Sequence, residues 1–244
     1  MEVLTILWRE FVFFKRRFWK ITSALIVSPL LYMVAFGWGI GDNLVVEGSN
    51  YMYYIIPGII ALTTMRSSFG AISMRVSVSR LHEKSFEYYL IAPISMYLLT
   101  LGHILSGALR GMYSAIIIIL TAFVFGIAIK INLLFIFVCF LNSLLFAGLG
   151  FFAAMMINTH YDMNRFTSFI INPMSFLCGT FFSLRKMPYL IRSFIELLPL
   201  THSTRILRAI ALNGKVEVFS ILVMLVYAII FFILSVKACY EEAV

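Results

Sequence analysis

Arg66 and Arg110 are the residues of this 244-residue sequence whose type and setting could do chemistry. Each stands inside a long apolar run. Each also belongs to a stripe of polar or small residues at i, i+3, i+4 or i+7 steps, which one helical face would gather. The first stripe is Thr63, Arg66, Ser67, Gly70 and Ser73, and the second is His103, Ser106, Arg110 and Ser114. A third, Ser168, Asn172, Ser175 and Gly179, carries no cation. A guanidinium at bilayer depth costs about 2.5–3.5 kcal/mol on insertion scales, so it should face protein or a wet cavity. Thr63, Arg66, Ser67, Arg110, Asn172 and Ser175 are therefore candidates to border a translocation route. The competing roles are helix–helix packing for the small and hydroxyl residues, with Gly107-x-x-x-Gly111 as a packing motif, and snorkelling of the two arginines to an interface.

Other chemistries lack their residues. The carboxylates are Asp42, Asp162 and nine glutamates, none of them in the middle of an apolar run. That argues against an ion-coupled pump, which commonly places carboxylates in the membrane, and it removes the pair that acid–base catalysis would use. His82, His103, His160 and His202 are dispersed, without metal-ligand spacing. Cys139, Cys178 and Cys239 form no CxxC, and no disulfide is expected. Neither a Gly-x-Ser-x-Gly elbow nor a Gly-x-x-x-x-Gly-Lys-Ser/Thr phosphate loop occurs, so the chain is not its own standard ATPase.

The stretch Arg75 to Pro93 is a polar island between two apolar runs. Arg80, Glu83, Lys84 and Glu87 follow i, i+3, i+4 and i+7 steps, so a single helix would align them. Its two opposite-sign i,i+3 pairs would each add about 0.2–0.5 kcal/mol. Pro93 should end that helix, because proline disfavours helix in the residue before it. A short amphipathic helix between two spans is either a surface for a cytosolic partner to push on or a plain interfacial cap.

These residues need a membrane scaffold. The chain is 62% hydrophobic and only 12% charged, against about 25% charged in soluble domains. Its mean hydropathy is +0.99. The pattern predicts an all-α polytopic membrane protein, a single transmembrane domain over 1–244. Residues 1–17 mix aromatics and cations as an interfacial amphipathic helix. Six spans follow, at about 18–40, 51 into the seventies, 94–129, 133–157, 166–184 and 216–236. Residues 158–165 read as a short loop. Residues 185–215 hold many charges, and Pro188 and Pro199 bracket a helix too short to span, which reads as external and interfacial or re-entrant. The net charge of +8 bears on topology before nucleic acid, for which no basic module exists. Five cations precede or open the first span and none lies in residues 41–50, which places both termini and the polar island in the cytoplasm.

Several stretches resemble the membrane permeases of type-2 ATP-binding-cassette exporters, the nodulation-factor, capsule, O-antigen and daunorubicin-type exporters among them. The resemblance runs over about residues 20 to 215. It rests on Ile55-Ile56-Pro57-Gly58, on Glu87-Tyr-Tyr-Leu-Ile-Ala-Pro93-Ile-Ser95, on Leu177-Cys-Gly-Thr-Phe-Phe-Ser-Leu184 with Met187-Pro188, and on Leu198-Pro-Leu-Thr201 with Leu207-Arg208 and Gly214. The chain departs from the family at Lys84-Ser85, Ser183 and His202, where Gly-Thr, Pro and Tyr are frequent. The resemblance implies a prokaryotic inner-membrane exporter subunit, paired with a second copy or a paralogue and driven by two copies of a separate cytosolic ATPase. ATP and Mg would sit on that partner, and this chain would bind no cofactor. Residues 76–93 would be the coupling segment, with Arg80, Glu83, Lys84, Glu87, Tyr88, Leu90 and Pro93 as its contacts. Phe182, Pro188, Pro199 and His202 would shape an external gate. The substrate would be amphipathic, lipid-linked, glycan or drug-like. The rival readings are a six-span secondary transporter or channel, and a membrane-embedded lipid-modifying enzyme.

Overall fold

The computed structural model describes residues 2–35, 45–46, 49–92, 94–184 and 187–242. The chain is almost wholly helical. Helix α1 (Glu2–Arg16) precedes α2 (Phe18–Met33), and two two-residue strands, β1 (Val45–Val46) and β2 (Ser49–Asn50), pair antiparallel. Then come α3 (Tyr51–Leu81), α4 (Glu87–Ile91), α5 (Met96–Val124) and α6 (Leu133–Met156). Helix α7 (His160–Phe166) runs through a π turn (Thr167–Ile171) into α8 (Asn172–Leu177) without a break in the helical path. Helices α9 (Tyr189–Glu196) and α10 (Pro199–Ala211) form a hairpin before α11 (Val218–Glu242). Among the described residues, α3, α5, α6 and α11 are long and apolar enough to cross a membrane. Helix α2, with 16 residues, is a shorter apolar helix.

Local chemistry sets the helix starts. The Asn50 side chain accepts from the Met52 N–H at 3.0 Å, and Asn132 accepts from Phe135 N–H at 2.8 Å. Each satisfies one of the donors that a helix start leaves open. Pro199 opens α10 at a position where a missing N–H costs nothing.

The long helices pack as a bundle, with α3 against α5 and α6, and α6 against α5 and α11. Gly107 and Gly111 let them close: a Cβ on Gly107 would strike Ile72 and Ala147, and one on Gly111 would strike Ser143 and Ser68. The Gly-x-x-x-Gly reading as packing thus holds, with one face of α5 set against both α3 and α6. Polar residues fasten the same seams. Asn142 on α6 donates to the Ala61 carbonyl at 3.0 Å and to Thr64 Oγ1 at 2.8 Å on α3. Ser235 on α11 donates to the Gly148 carbonyl at 3.1 Å. Ile6 on α1 is buried against Gly102 of α5, while Leu4, Trp8 and Phe11 stay exposed.

Three expectations need correction. Residues 158–165 are not a loop: α7 begins at His160, because Thr159 accepts from the Asp162 N–H at 3.0 Å and caps the helix. The described helix in that region ends at Leu177, so helix does not extend over 178–184 as the expected span over 166–184 required. The polar island is not one helix. Helix α3 runs on through Arg80 to Leu81, and Lys84 adopts φ of 50°, a left-handed conformation that ends helical propagation before α4 begins. Arg80, Glu83, Lys84 and Glu87 therefore do not share a face. Residues 41–44, 47–48, Pro93, Arg185, Lys186 and the Leu90 side chain lie outside the described residues.

Candidate translocation cavity and coupling face

A cavity of about 740 Å³ lies between α1, α2, α3 and α5. Arg66, Ser67, Gly70, Arg75 and Arg110 line one wall, and Phe13, Ile21, Ala24 and Leu25 line the other. Arg66 is the middle residue of α3 and Arg110 the middle residue of α5. At 1.5 Å per residue, each sits about 22 Å from either end of its helix. The two helices meet at this level, where Ser67 Oγ donates to the Arg110 carbonyl at 3.2 Å.

The π turn brings the third stripe into register with the first. Arg66 Nε donates to Ser175 Oγ at 3.1 Å, and Nη2 to Asn172 Oδ1 at 3.3 Å. Arg66, Ser67 and Arg110 thus line the cavity, and Asn172 and Ser175 stand behind Arg66 as its hydrogen-bond partners. Thr63 does not join them. It is buried, and its hydroxyl bonds the Ile59 carbonyl of its own helix at 2.7 Å. His103, Ser106 and Ser114 also turn inward or back onto α5. His103 packs between the rings of Tyr89 and Phe151, while Ser106 and Ser114 bond the carbonyls of His103 and Gly111.

At the α4 end of the bundle, Glu83, Lys84, Glu87 and Tyr88 are exposed. They sit on a fixed base. Phe86 is buried beneath them, and the Tyr89 hydroxyl accepts a hydrogen bond from Arg9 of α1. Burial pushes the Tyr89 phenol up against the opposing pull of Arg9, so it remains a neutral hydroxyl. Glu10 pairs with Arg75 at 2.7 Å, tying α1 to α3 beside this contact. Arg80 faces away from the exposed group. It binds Glu242 at 2.7 Å, Asn158 at 2.7 Å and the carbonyls of Ala154 and Ile157 at 3.3 Å, so it braces α3 against α6 and α11.

The opposite end holds the hairpin. Arg208 on α10 donates to the carbonyls of Tyr54 at 3.0 Å and Gly179 at 2.8 Å, and its guanidinium lies 3.6 Å from the centre of the Tyr54 ring. Arg205 bridges Glu196 at 3.0 Å and Glu217 at 3.1 Å, and Arg192 also reaches Glu196. Of the residues expected at an external gate, Phe182 is half-buried and Pro188 caps α9. Pro199 and His202 are buried, and His202 bonds the Glu196 carbonyl at 2.9 Å and Ser220 at 3.1 Å. These two shape the hairpin from within instead of facing an exit. Sequence reasoning missed Arg208, Asn142 and the pairing of Glu10 with Arg75. Glu10 could have been flagged as an isolated carboxylate in a strongly basic segment.

The described residues thus form a helical bundle with four helices long and apolar enough to cross a membrane, a polar cavity and an exposed charged knob at one end. The chain matches the family model described as ABC-2 type transporter over residues 1–212, and it belongs to that family. It is 24% identical over 180 residues to the inner membrane transport permease YadH of Escherichia coli K12, covering 70% of this chain and 69% of that protein. It is 28% identical over 211 residues to nodulation protein J of Bradyrhizobium diazoefficiens, covering 82% and 79%. Nodulation protein J of Sinorhizobium fredii NGR234 is 24% identical over 241 residues, covering 94% and 92%.

Proposed function

We propose that the chain is the permease subunit of an ATP-driven exporter in a prokaryotic inner membrane, working with a second permease copy and two copies of a separate cytosolic ATPase that carries ATP and Mg. In this reading α2, α3, α5, α6, the helical run 160–177 and α11 make six crossings, and both termini and α4 are cytoplasmic. The observation that carries it is the α4 knob. Glu83, Lys84, Glu87 and Tyr88 are free to meet a partner, while Phe86 and Tyr89 root the knob in the bundle.

ATPase closure would displace α4. Helix α3 would carry that displacement to Arg66, and the contacts Arg9–Tyr89 and Glu10–Arg75 would carry it to α1. Arg80 serves as a brace here, not as a contact. Moving a two-state permease from 1:99 to 99:1 takes about 5.5 kcal/mol, which ATP binding to the partner would supply through α4. The substrate would be amphipathic, with lipid-linked, glycan and drug-like compounds as the classes to screen.

The test is affinity purification of the tagged chain in mild detergent from its native host, with mass spectrometry and an ATPase assay, wild type beside Glu87→Arg. A stoichiometric ATPase that is lost or uncoupled in the variant is the expected result. Wild-type protein that purifies without any ATPase, and that transports in an ion gradient, would overturn the proposal.

A further inference from the structure

The mid-depth cavity holds more positive charge than the protein neutralises. Its wall carries Arg9, Arg17, Lys20, Arg66, Arg75 and Arg110, and a single carboxylate, Glu83. Glu10 engages Arg75 at 2.7 Å and Arg9 at 3.1 Å. Arg17 rests on the Phe13 ring, 4.6 Å from its centre. The two arginines at the middle of their helices have no acidic partner among the described residues. Arg66 is held by the neutral groups of Ser175 and Asn172, and the Arg110 guanidinium makes neither a hydrogen bond nor an ion pair there.

Two guanidiniums deep in the cavity, one with only neutral partners and one that feels Glu10 only through space while Glu10 is bonded to Arg75 and Arg9, are costly unless something anionic arrives to meet them. The rest of the cavity says what else that ligand must have. Ile21, Ala24, Leu25 and Met74 give it an apolar side, continuous with α2. The volume of about 740 Å³ is that of a site for a drug-sized ligand, large enough for a headgroup and the first part of a chain. Guanidiniums also bind phosphate through paired N–H groups, with stronger bonds than neutral partners make.

We propose that this cavity binds the anionic headgroup of a phosphate-bearing amphiphile, with Arg66 and Arg110 as the charge-binding pair and the α2 face taking the apolar chain. As a statement about the exported substrate this rests on the exporter reading; as a statement about binding it does not. The headgroup enters from the end that carries Arg9, Arg17 and Lys20, and Arg66 and Arg110 receive it deeper in the cavity. Gly70 leaves room beside them: a Cβ there would meet no atom within 4 Å.

The experiment is a titration of the purified full chain, in a zwitterionic detergent, with dihexanoyl phosphatidic acid, dihexanoyl phosphatidylcholine and inorganic phosphate, read by native mass spectrometry. Phosphatidic acid is expected to bind at least about tenfold more tightly than either comparator, the effect of losing a charged hydrogen bond. Arg66→Met/Arg110→Met is expected to remove that preference, and Lys237→Gln, exposed and outside the cavity, to keep it. Gly70→Leu fills the cavity and should weaken both lipids together. Should the double variant fail to fold, Arg110→Met alone carries the test, because that guanidinium makes no hydrogen bond or ion pair among the described residues; a melting temperature no lower than wild type checks it. Equal binding of the two lipids, an unchanged preference in the arginine variants, or inorganic phosphate binding as tightly as the lipid would each overturn the inference. None of these outcomes touches ATPase co-purification, so the two proposals fail separately.

Discussion

The N-terminal end of α3 and its middle use arginine in opposite ways. Near Tyr54, in a cavity of about 410 Å³, Arg192, Arg205 and Arg208 are each engaged by a carboxylate or a carbonyl. At the middle of the helix, in the larger cavity, Arg66 meets only neutral groups and the Arg110 guanidinium makes no hydrogen bond or ion pair among the described residues. The first arrangement is complete within one protomer and holds a hairpin in place. The second is incomplete without a ligand. Guanidinium content alone does not tell a structural corner from a binding site; the balance of partners does.

The largest expected effect sets one arginine against the other. Arg208→Met removes the donor from the Tyr54 and Gly179 carbonyls and should destabilise the protein by about 3 kcal/mol, seen as a large fall in melting temperature in detergent. Arg110→Met should leave the protein at least as stable as wild type, because it removes a largely buried charge and loses no hydrogen bond or ion pair among the described residues. Equal losses in the two variants would erase the distinction. The next contrast is between two glycines on the same helix. A Cβ on Gly58 would lie 2.8 Å from the Thr180 carbonyl oxygen, against backbone that cannot swing aside. Gly58→Ala should therefore cost about 1–3 kcal/mol, whereas Gly70→Ala, facing the open cavity, should gain up to about 1 kcal/mol of helix propensity.

The smallest effect is on pH dependence at the hairpin. Burial raises the Glu196 carboxyl, but the bonds from Arg192 and Arg205 outweigh it and hold the group below its usual value. Burial lowers the His202 imidazole, so it is neutral in the fold. Both groups bind protons more readily in the unfolded chain, so both stabilise the fold at higher pH. The His202 contribution is present above about pH 6.5 and lost as pH falls below it; that of Glu196 is lost below about pH 4.3. Melting temperatures should fall with acid across the upper window in wild type, and should fall less in His202→Gln.

The sequence carried the membrane class, an amphipathic α1 and four long apolar helices, because helical period and apolar length are local properties. It misled at the polar island. The i,i+3 charge pairs favour continuing the helix by a few tenths of a kcal/mol, and the fold instead gives Arg80 to Glu242, 162 residues away, along with Asn158. That partner is non-local and leaves no periodic trace. The stripes containing Thr63 and His103 were read as faces of one kind, yet whether a hydroxyl points into a cavity or back onto its own carbonyl depends on how α5 and α6 close around α3. Arg208 stayed hidden for the same reason: its acceptors are carbonyls, which any residue supplies.

The π turn at Thr167–Ile171 has one further consequence. A wider turn holds an extra residue, so it advances the phase of everything after it without lengthening a loop. Asn172 and Ser175 face Arg66 only in that phase. Removing a single residue from this turn would restore ordinary winding and rotate the two side chains by about 100°, toward lipid or packing. One position of chain length, silent in composition, hydropathy and span count, thereby decides whether the deep arginine has a hydrogen-bonding neighbour. Among relatives of this chain, single-residue indels inside that segment would retune the cavity as surely as substitutions in its wall.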